Sequence, residues 1–192
     1  MLNAKAEARK QAIQKAINWI EEKPLFLDTE TTGLSNTDEI VEIAIIDHDG
    51  RTLLNELVKP ARRIPLEAIL IHGINDGMVA NSLSWPILWA TQVRPLVFGK
   101  SIGIYNASFD LRMMRQSNTP NPAVLNSLRT FDILVLYASF YGEWDTTHRS
   151  YRYQSLEKAG KQCNIALPNA HRALADAILA REVLLYMANA GW

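Results

Sequence analysis

The sequence predicts an α/β fold with five strands, the first three an antiparallel meander, and a further helix at the N-terminus. Three observations carry that reading. Apolar residues recur at helical spacing through residues 3–22. Three strand patterns follow one another between Pro24 and Pro60, with Asp49-Gly50 as a tight-turn signal between the second and third. Beyond Pro60, two short strand patterns alternate with helical stretches.

In chain order, Ala6, Ile13, Ile17 and Ile20 mark the apolar stripe of the first helix, and Pro24 ends it. That helix, residues 1–23, is either a brace packed on the remaining domain, 24–192, or a docking element for a partner protein. Pro24-Leu25-Phe26-Leu27 leads as a buried strand into Asp28. Glu39 to Asp47 is apolar on both faces, as a central strand is. Glu42 interrupts it, as a surface position at the strand's edge or as a partner supporting a metal site. Thr52 to Lys59 returns as the third strand. Ile64-Pro65-Leu66 opens a short helix, with His72-Gly73-Ile74 in the loop behind it. Ser84 is placed to cap a helix carrying core tryptophans Trp85 and Trp89, which Pro95 should kink near its end. Ser101 to Tyr105 reads as a strand, Asn106 to about Gln116 as a turn into a helix, and Leu128 to Asp132 as the last strand. Asp132 then caps a helix over 133–141. Gly142 to Arg152 lacks periodicity and reads as a mobile loop beside the site. Ser155 caps a short helix, and a final helix runs from near Ala170 to about Asn189, packing through Ala173, Ala177 and Leu184.

Composition narrows the functional classes. The 192 residues suffice for one domain with a full core. Lys plus Arg and Asp plus Glu both number 20, so bulk charge does not favour a polyanion. A polyanionic partner would need local positive charge or metal. Arg112, Arg115, Arg149, Arg152, Lys158, Lys161 and Arg172 are either phosphate contacts or scattered surface bases. A single cysteine, Cys163, excludes an internal disulfide. The charged first ten residues lack the apolar core of a signal peptide, and no apolar run is long enough for a bilayer, so the expected location is cytoplasmic and off the membrane.

The chemistry gathers at two stretches. In Asp28-Thr29-Glu30-Thr31-Thr32-Gly33-Leu34, strand alternation turns Asp28 and Glu30 to the same side. Two carboxylates there are either solvated loop acids or a pair needing a divalent cation. In His171-Arg172-Ala173-Leu174-Ala175-Asp176, a spacing of five puts a histidine at the mouth of a helix and an aspartate about a turn inside. Taken singly, His171 and Asp176 read as surface or capping groups, Asp110 as a dipole-favoured acid in a first turn, and His72 as a surface histidine or a substrate contact. Together, Asp28, Glu30, Asp110 and Asp176 offer hard oxygen ligands for two Mg²⁺ or Mn²⁺ ions, and His171 can take a proton from water near neutral pH.

The chain resembles the DEDDh (DnaQ-like) 3′–5′ exonucleases, the family of the proofreading subunit of bacterial replicative DNA polymerase. Residues 28–34, Asn106-Ala107-Ser108-Phe109-Asp110 and residues 171–177 match its three motifs in order, and His72-Gly73-Ile74 has a lesser counterpart. The resemblance implies a ribonuclease H-like fold, a mixed five-stranded sheet with helices on both sides. It implies that Asp28, Glu30 and Asp176 hold one ion, and that Asp28 bridges to a second supported by Asp110. His171 would be the general base. Thr31, Gly33 and Leu34 would meet the terminal nucleotide, with Leu34 wedged against its base and Glu30 bonding its 3′-hydroxyl. Asn106 and Phe109 would shape the pocket. The expected substrate is single-stranded DNA or a DNA 3′ end, released as nucleoside 5′-monophosphates. The alternatives are a 3′–5′ exoribonuclease and a non-catalytic nucleic-acid-binding assembly subunit.

Overall fold

A computed structural model describes residues 2–166 and 171–191. Its centre is a five-stranded mixed sheet of β1 (Leu25–Thr31), β2 (Ile40–Ile46), β3 (Thr52–Leu57), β4 (Ser101–Ile104) and β5 (Arg129–Asp132). The order is β3-β2-β1-β4-β5. Strands β1 to β3 form the antiparallel meander, while β4 and β5 run parallel to β1. The predicted fold class is the one observed, and every residue of β2 is buried, as its two-sided apolar pattern requires.

The two faces of β1 carry different cores. Phe26 packs with α1 (Leu2–Glu21), α7 (Ile133–Tyr141) and α9 (Ala173–Asn189). Leu25 and Leu27 pack on the other face, against Trp85, Trp89 and Met113. Met113 belongs to α6 (Ala107–Gln116). Gly103 lets β4 lie this close, since a Cβ there would stand 2.7 Å from the Phe131 ring. Parallel pairing of β1 with β4 covers only Leu25 and Phe26. Beyond that point β1 runs on alone beside β2, and the gap on its other side is where a ligand fits in such sheets.

Helix α1 packs through Ala12, Ile13 and Ala16, with Ile17 and Ile20 partly buried, while Ala6 is exposed and lies outside the stripe. Arg9 donates to the Phe140 carbonyl at 2.9 Å and lies over that residue's ring, closing the C-terminus of α7. Trp19 stacks on Phe131 at 4.3 Å. Glu22 then ties the chain to β4 and β5 through Ser101 and Arg129.

The connection from β3 to β4 is helical. Helix α2 (Leu66–His72) ends on Gly73 in the left-handed region, so His72 belongs to the helix and not to the loop. A short helix, α3 (Asp76–Val79), follows with Asn75 as its cap. Trp85–Leu88 (α4) and Arg94–Val97 (α5) flank a wide π turn over Trp89–Val93. Pro95 has no N–H for Thr91 and its ring crowds that carbonyl, so the expected kink takes the form of a widened turn. Both tryptophans are buried in the core.

Residues 142–152 are not irregular. They hold a hairpin of β6 (Trp144–Asp145) and β7 (Ser150–Tyr151), with Trp144 edge-on to Tyr151 at 5.2 Å. Arg152 closes it with ion pairs to Glu143 and Asp145. Helix α8 (Leu156–Gln162) follows, with Ser155 accepting from the Lys158 N–H. Helix α9 is described from Ala173; the expected start near Ala170 lies outside the described residues. No helix of the described residues is long and apolar enough to cross a membrane.

Candidate active site

Alternation along β1 turns Asp28 and Glu30 to the face that α9 covers. A register shift between Glu30 and Thr31 re-aims the strand just beyond the second acid. Ala173 and Ala177 of α9 are fully buried, and their small side chains let the helix approach the sheet. Asp176, one residue before Ala177, thereby reaches the acids of β1. Carboxylate oxygens of Asp28, Glu30 and Asp176 lie within 4.8 Å of one another.

Asp110 enters from the other side of the sheet. It sits in the first turn of α6 and is 2% exposed. Thr29, which alternates away from Asp28, donates its hydroxyl to Asp110 at 2.7 Å. The start of α6 is itself fixed by Asp132, whose two oxygens accept from the Asn106 and Ala107 N–H groups, both at 3.1 Å. Asp132 also caps α7 as expected, accepting from the Leu134 N–H. Asn106 adopts the left-handed conformation, which asparagine tolerates, and is exposed beside the site.

These acids strain one another. Burial raises Asp28 well above the usual carboxylate range, and the charges of Asp110, Asp176 and Glu30 raise it further. Glu30 is pushed up to about 8, by burial first and then by Asp176 and Glu42. Asp110 rises to about 7 through burial, against the lowering effect of the Thr29 hydrogen bond. Asp176 is also raised by burial, with the nearby His171 and its backbone hydrogen bond opposing. A hard divalent cation suits this donor set: the oxygens are clustered, anionic and short of positive partners. The residues present therefore fit the expected metal.

Glu42 is not a surface position at a strand edge, since β2 lies between β3 and β1. It is 2% exposed and lies directly opposite Glu30 in the β1–β2 register. Its carboxylate accepts from Arg172 Nε, at 3.1 Å to each oxygen, and from the Ala173 N–H at 2.9 Å. The pair ties the N-terminus of α9 to β2, immediately beside His171. Arg172 is thus committed within the fold and is not a free phosphate contact. The sequence leaves Glu42 open between those two positions and carries no signal for its partner 130 positions away.

His171 is exposed and takes a positive φ of 68°, so its side chain stands at the mouth of α9. His72 is buried, which overturns its reading as a surface histidine. Its Nδ1 accepts from the Ile74 N–H at 3.0 Å, so its Nε2 carries the proton and donates to the Thr31 carbonyl at 3.2 Å. Burial holds its pKa below the usual histidine value, in keeping with that neutral tautomer. His72 therefore steadies the backbone of the first motif.

The turn after β1 is cross-braced. Thr32 donates to Asp38 at 2.8 Å, the Ser35 N–H reaches the same carboxylate, and Thr31 donates to the Gly33 carbonyl. Arg112 and Gln116 of α6 donate to the Leu34 and Ser35 carbonyls, which commits Arg112 as well. Leu34 stands out of this braced turn at 78% exposure. Phe109 is half-buried with Arg112 over its ring at 5.3 Å. Of the predicted residues, Asp28, Glu30, Asp110 and Asp176 converge and His171 precedes the helix that carries Asp176, while Thr31, Gly33 and Leu34 lie at the end of β1 and in the turn behind it, and Asn106 and Phe109 at the start of α6.

Comparison with known proteins gives a consistent result. A family model described as an exonuclease, RNase_T, matches residues 25–184. The uncharacterized exonuclease CP81 of Escherichia phage 186 is 37% identical over 186 residues, covering 93% of this chain and 94% of that protein. Exodeoxyribonuclease 10 of Escherichia coli K12 is 30% identical over 183 residues, covering 86% of this chain and 69% of that one. Among solved structures, exonuclease X in complex with 5′-overhanging duplex DNA superposes with a TM-score of 0.62 at 28% identity, covering 88% of this chain and 93% of that chain.

Proposed function

The chain belongs to the RNase_T exonuclease family, and from that premise we propose that it is a 3′–5′ exonuclease releasing nucleoside 5′-monophosphates from DNA with the help of two divalent cations, Mg²⁺ or Mn²⁺. The observation that carries the reading is the convergence of Asp28, Glu30 and Asp176 within 4.8 Å, with Asp110 buried beside Asp28. Asp28, Glu30 and Asp176 would hold one ion, and Asp28 with Asp110 the second. Bound there, the ions supply Lewis-acid polarisation of the phosphoryl oxygens and favour ionisation of water at neutral pH.

The chain's own residues do the rest. Glu30 accepts from the 3′-hydroxyl of the terminal nucleotide. Leu34, the exposed apolar side chain of the braced turn, wedges against its base, while Phe109 and Asn106 close the pocket. His72 keeps the Thr31 backbone in place behind the sugar. His171, at the mouth of α9, takes a proton from the attacking water. The water oxygen bonds to phosphorus, the bond from phosphorus to the neighbouring 3′-oxygen breaks, and that oxygen leaves and takes a proton from solvent. A general base of this kind contributes typically 10²–10⁴-fold. The Glu42–Arg172 pair holds the segment from which both His171 and Asp176 project.

Exonuclease X, the structural relative, was solved with DNA, and that supports DNA as the substrate. Residues 1–23 act in this proposal as a brace for the catalytic domain, 24–192, since the apolar stripe of α1 is used on α7 and α9. The test is a digestion of 5′-labelled DNA and RNA of equal sequence, single-stranded and 3′-recessed, with Mg²⁺ and with chelator. The reading expects stepwise shortening of DNA from the 3′ end, 5′-monophosphate products, and no reaction with chelator. Faster digestion of RNA would transfer the activity to the ribonuclease alternative, and internal cleavage would overturn the exonuclease reading.

A further inference from the structure

We propose that Tyr153 is a stacking platform for a base lying 5′ of the terminal nucleotide, in a subsite continuous with the catalytic pocket. The proposal rests on the nuclease reading above and extends it to a residue outside all three motifs.

An open cleft of about 380 Å³ lies between the start of α6 and the start of α8. Asn106, Leu134, Tyr153 and Leu156 are among the residues that line it. Asn106 directly precedes α6, and Asp110 lies in the first turn of that helix. Four residues of helix rise about 6 Å, so the cleft opens little more than a helical turn from the buried Asp110 carboxylate. A strand whose last nucleotide occupies the site can pass through it without a long detour.

The walls select the kind of group. The residues that line the cleft are uncharged, with aromatic and aliphatic surface beside amide and hydroxyl groups. A phosphate has no cation to meet there, whereas a nucleobase has an aromatic face to stack on. Tyr153 is 62% exposed, the most exposed aromatic side chain among the described residues. No described ring packs against it, while Trp144 and Tyr151 of the neighbouring hairpin pack on each other.

The backbone beneath this exposed ring is fixed. The Tyr105 hydroxyl, at the end of β4, donates to the Gln154 carbonyl at 2.8 Å. Gln154 is itself buried, and its amide donates to Glu143 and to the Arg152 carbonyl, each at 3.2 Å. Ser155 then caps α8. A large flat side chain held out of the core on a pinned segment meets a base at little ordering cost. Stacking of this kind tolerates every base, which suits an enzyme that must step along any sequence.

The test is a cycle between protein and substrate. Oligonucleotides carry an abasic residue at each of the last five positions in turn, and release of the terminal nucleotide is followed by KM and kcat. For the wild type, an abasic residue at one internal position should raise KM by about 5- to 150-fold with little change in kcat, the range expected for one stacked base. Tyr153→Ala should raise KM for the intact oligonucleotide by a similar factor and show no further loss at that position. Tyr153→Phe and Tyr153→Trp should keep the discrimination, and melting curves of the variants should overlay, since the ring lies outside the core. Undiminished discrimination in Tyr153→Ala, or a Phe variant that behaves like Ala, overturns the subsite alone. A wild type that hydrolyses no oligonucleotide overturns the nuclease reading, and the subsite with it.

Discussion

Removing one charge from the metal-free site should stabilise the protein while destroying its function. Glu30→Gln keeps the shape and one acceptor oxygen of a side chain that faces Asp176 and lies opposite Glu42. Glu30 rises from an ordinary 4.5 to about 8 in the folded protein. A folded-state pKa above the unfolded one means that the native state binds the extra proton. Its stabilising contribution is complete below about pH 4.5 and is lost as pH climbs through about 8. A separation of roughly 3.5 pH units, at about 1.36 kcal/mol each, sets a ceiling of roughly 5 kcal/mol for the charge above pH 8. Glu30 is only partly buried, so solvent screening and local relaxation reduce that ceiling to about 2 kcal/mol, or about 4–8 °C in Tm for a chain of this length. The assay is thermal unfolding of both proteins in chelator, from pH 5 to pH 9. Glu30→Gln should match the wild type near pH 5 and melt higher at pH 8.5. With saturating Mg²⁺ the order should reverse, because ligand at 100 times its Kd adds about 2.7 kcal/mol to a protein that binds it. A variant that melts lower than the wild type in chelator at pH 8.5 would refute the reasoning.

Three further outcomes follow from the same geometry. His171→Ala should lose about 10²–10⁴ in kcat yet bind Mn²⁺ as the wild type does, measured by calorimetry; an unchanged rate removes His171 from the base role. Glu42→Ala leaves the buried Ala173 N–H without its acceptor and releases the half-exposed Arg172, and should cost about 1–3 kcal/mol in urea unfolding; an unchanged stability would show that the pair does not anchor α9. Ile13→Ala should cost about 2–5 kcal/mol because Ile13 sits in the core between α1, α7 and α9; near-wild-type stability would make α1 a detachable appendage.

The clustered acids were legible because their signals are local. Strand alternation put Asp28 and Glu30 on one face, a helix start placed Asp110, and a spacing of five set His171 outside α9 and Asp176 within it. Asp132 was legible as a cap for the same reason. What the sequence hid depends on pairing between distant segments. Glu42 looked like a misplaced polar residue until the β1–β2 register set it against Glu30 and Arg172 came over from α9. His72 stayed open between a surface histidine and a substrate contact because the Thr31 carbonyl that it meets is 41 positions away. The hairpin at 144–151 carries no repeat of apolar residues, being held by one aromatic pair and the ion pairs of Arg152. Ala6 fits the helical stripe by spacing, but α1 extends past the elements it packs on, so its first turns stay in solvent.

In the proposed mechanism Asp28, Glu30, Asp110 and Asp176 together gather hard cations where a 3′-terminal phosphodiester is cut. The most direct measurement is the stoichiometry of Mn²⁺ binding in the presence of a nucleoside 5′-monophosphate, for the wild type and for Asp28→Ala. Two ions per chain are expected in the wild type, with loss of both sites in the variant, whose fold persists. Binding that survives Asp28→Ala unchanged, or a wild type that takes up no Mn²⁺, would contradict it.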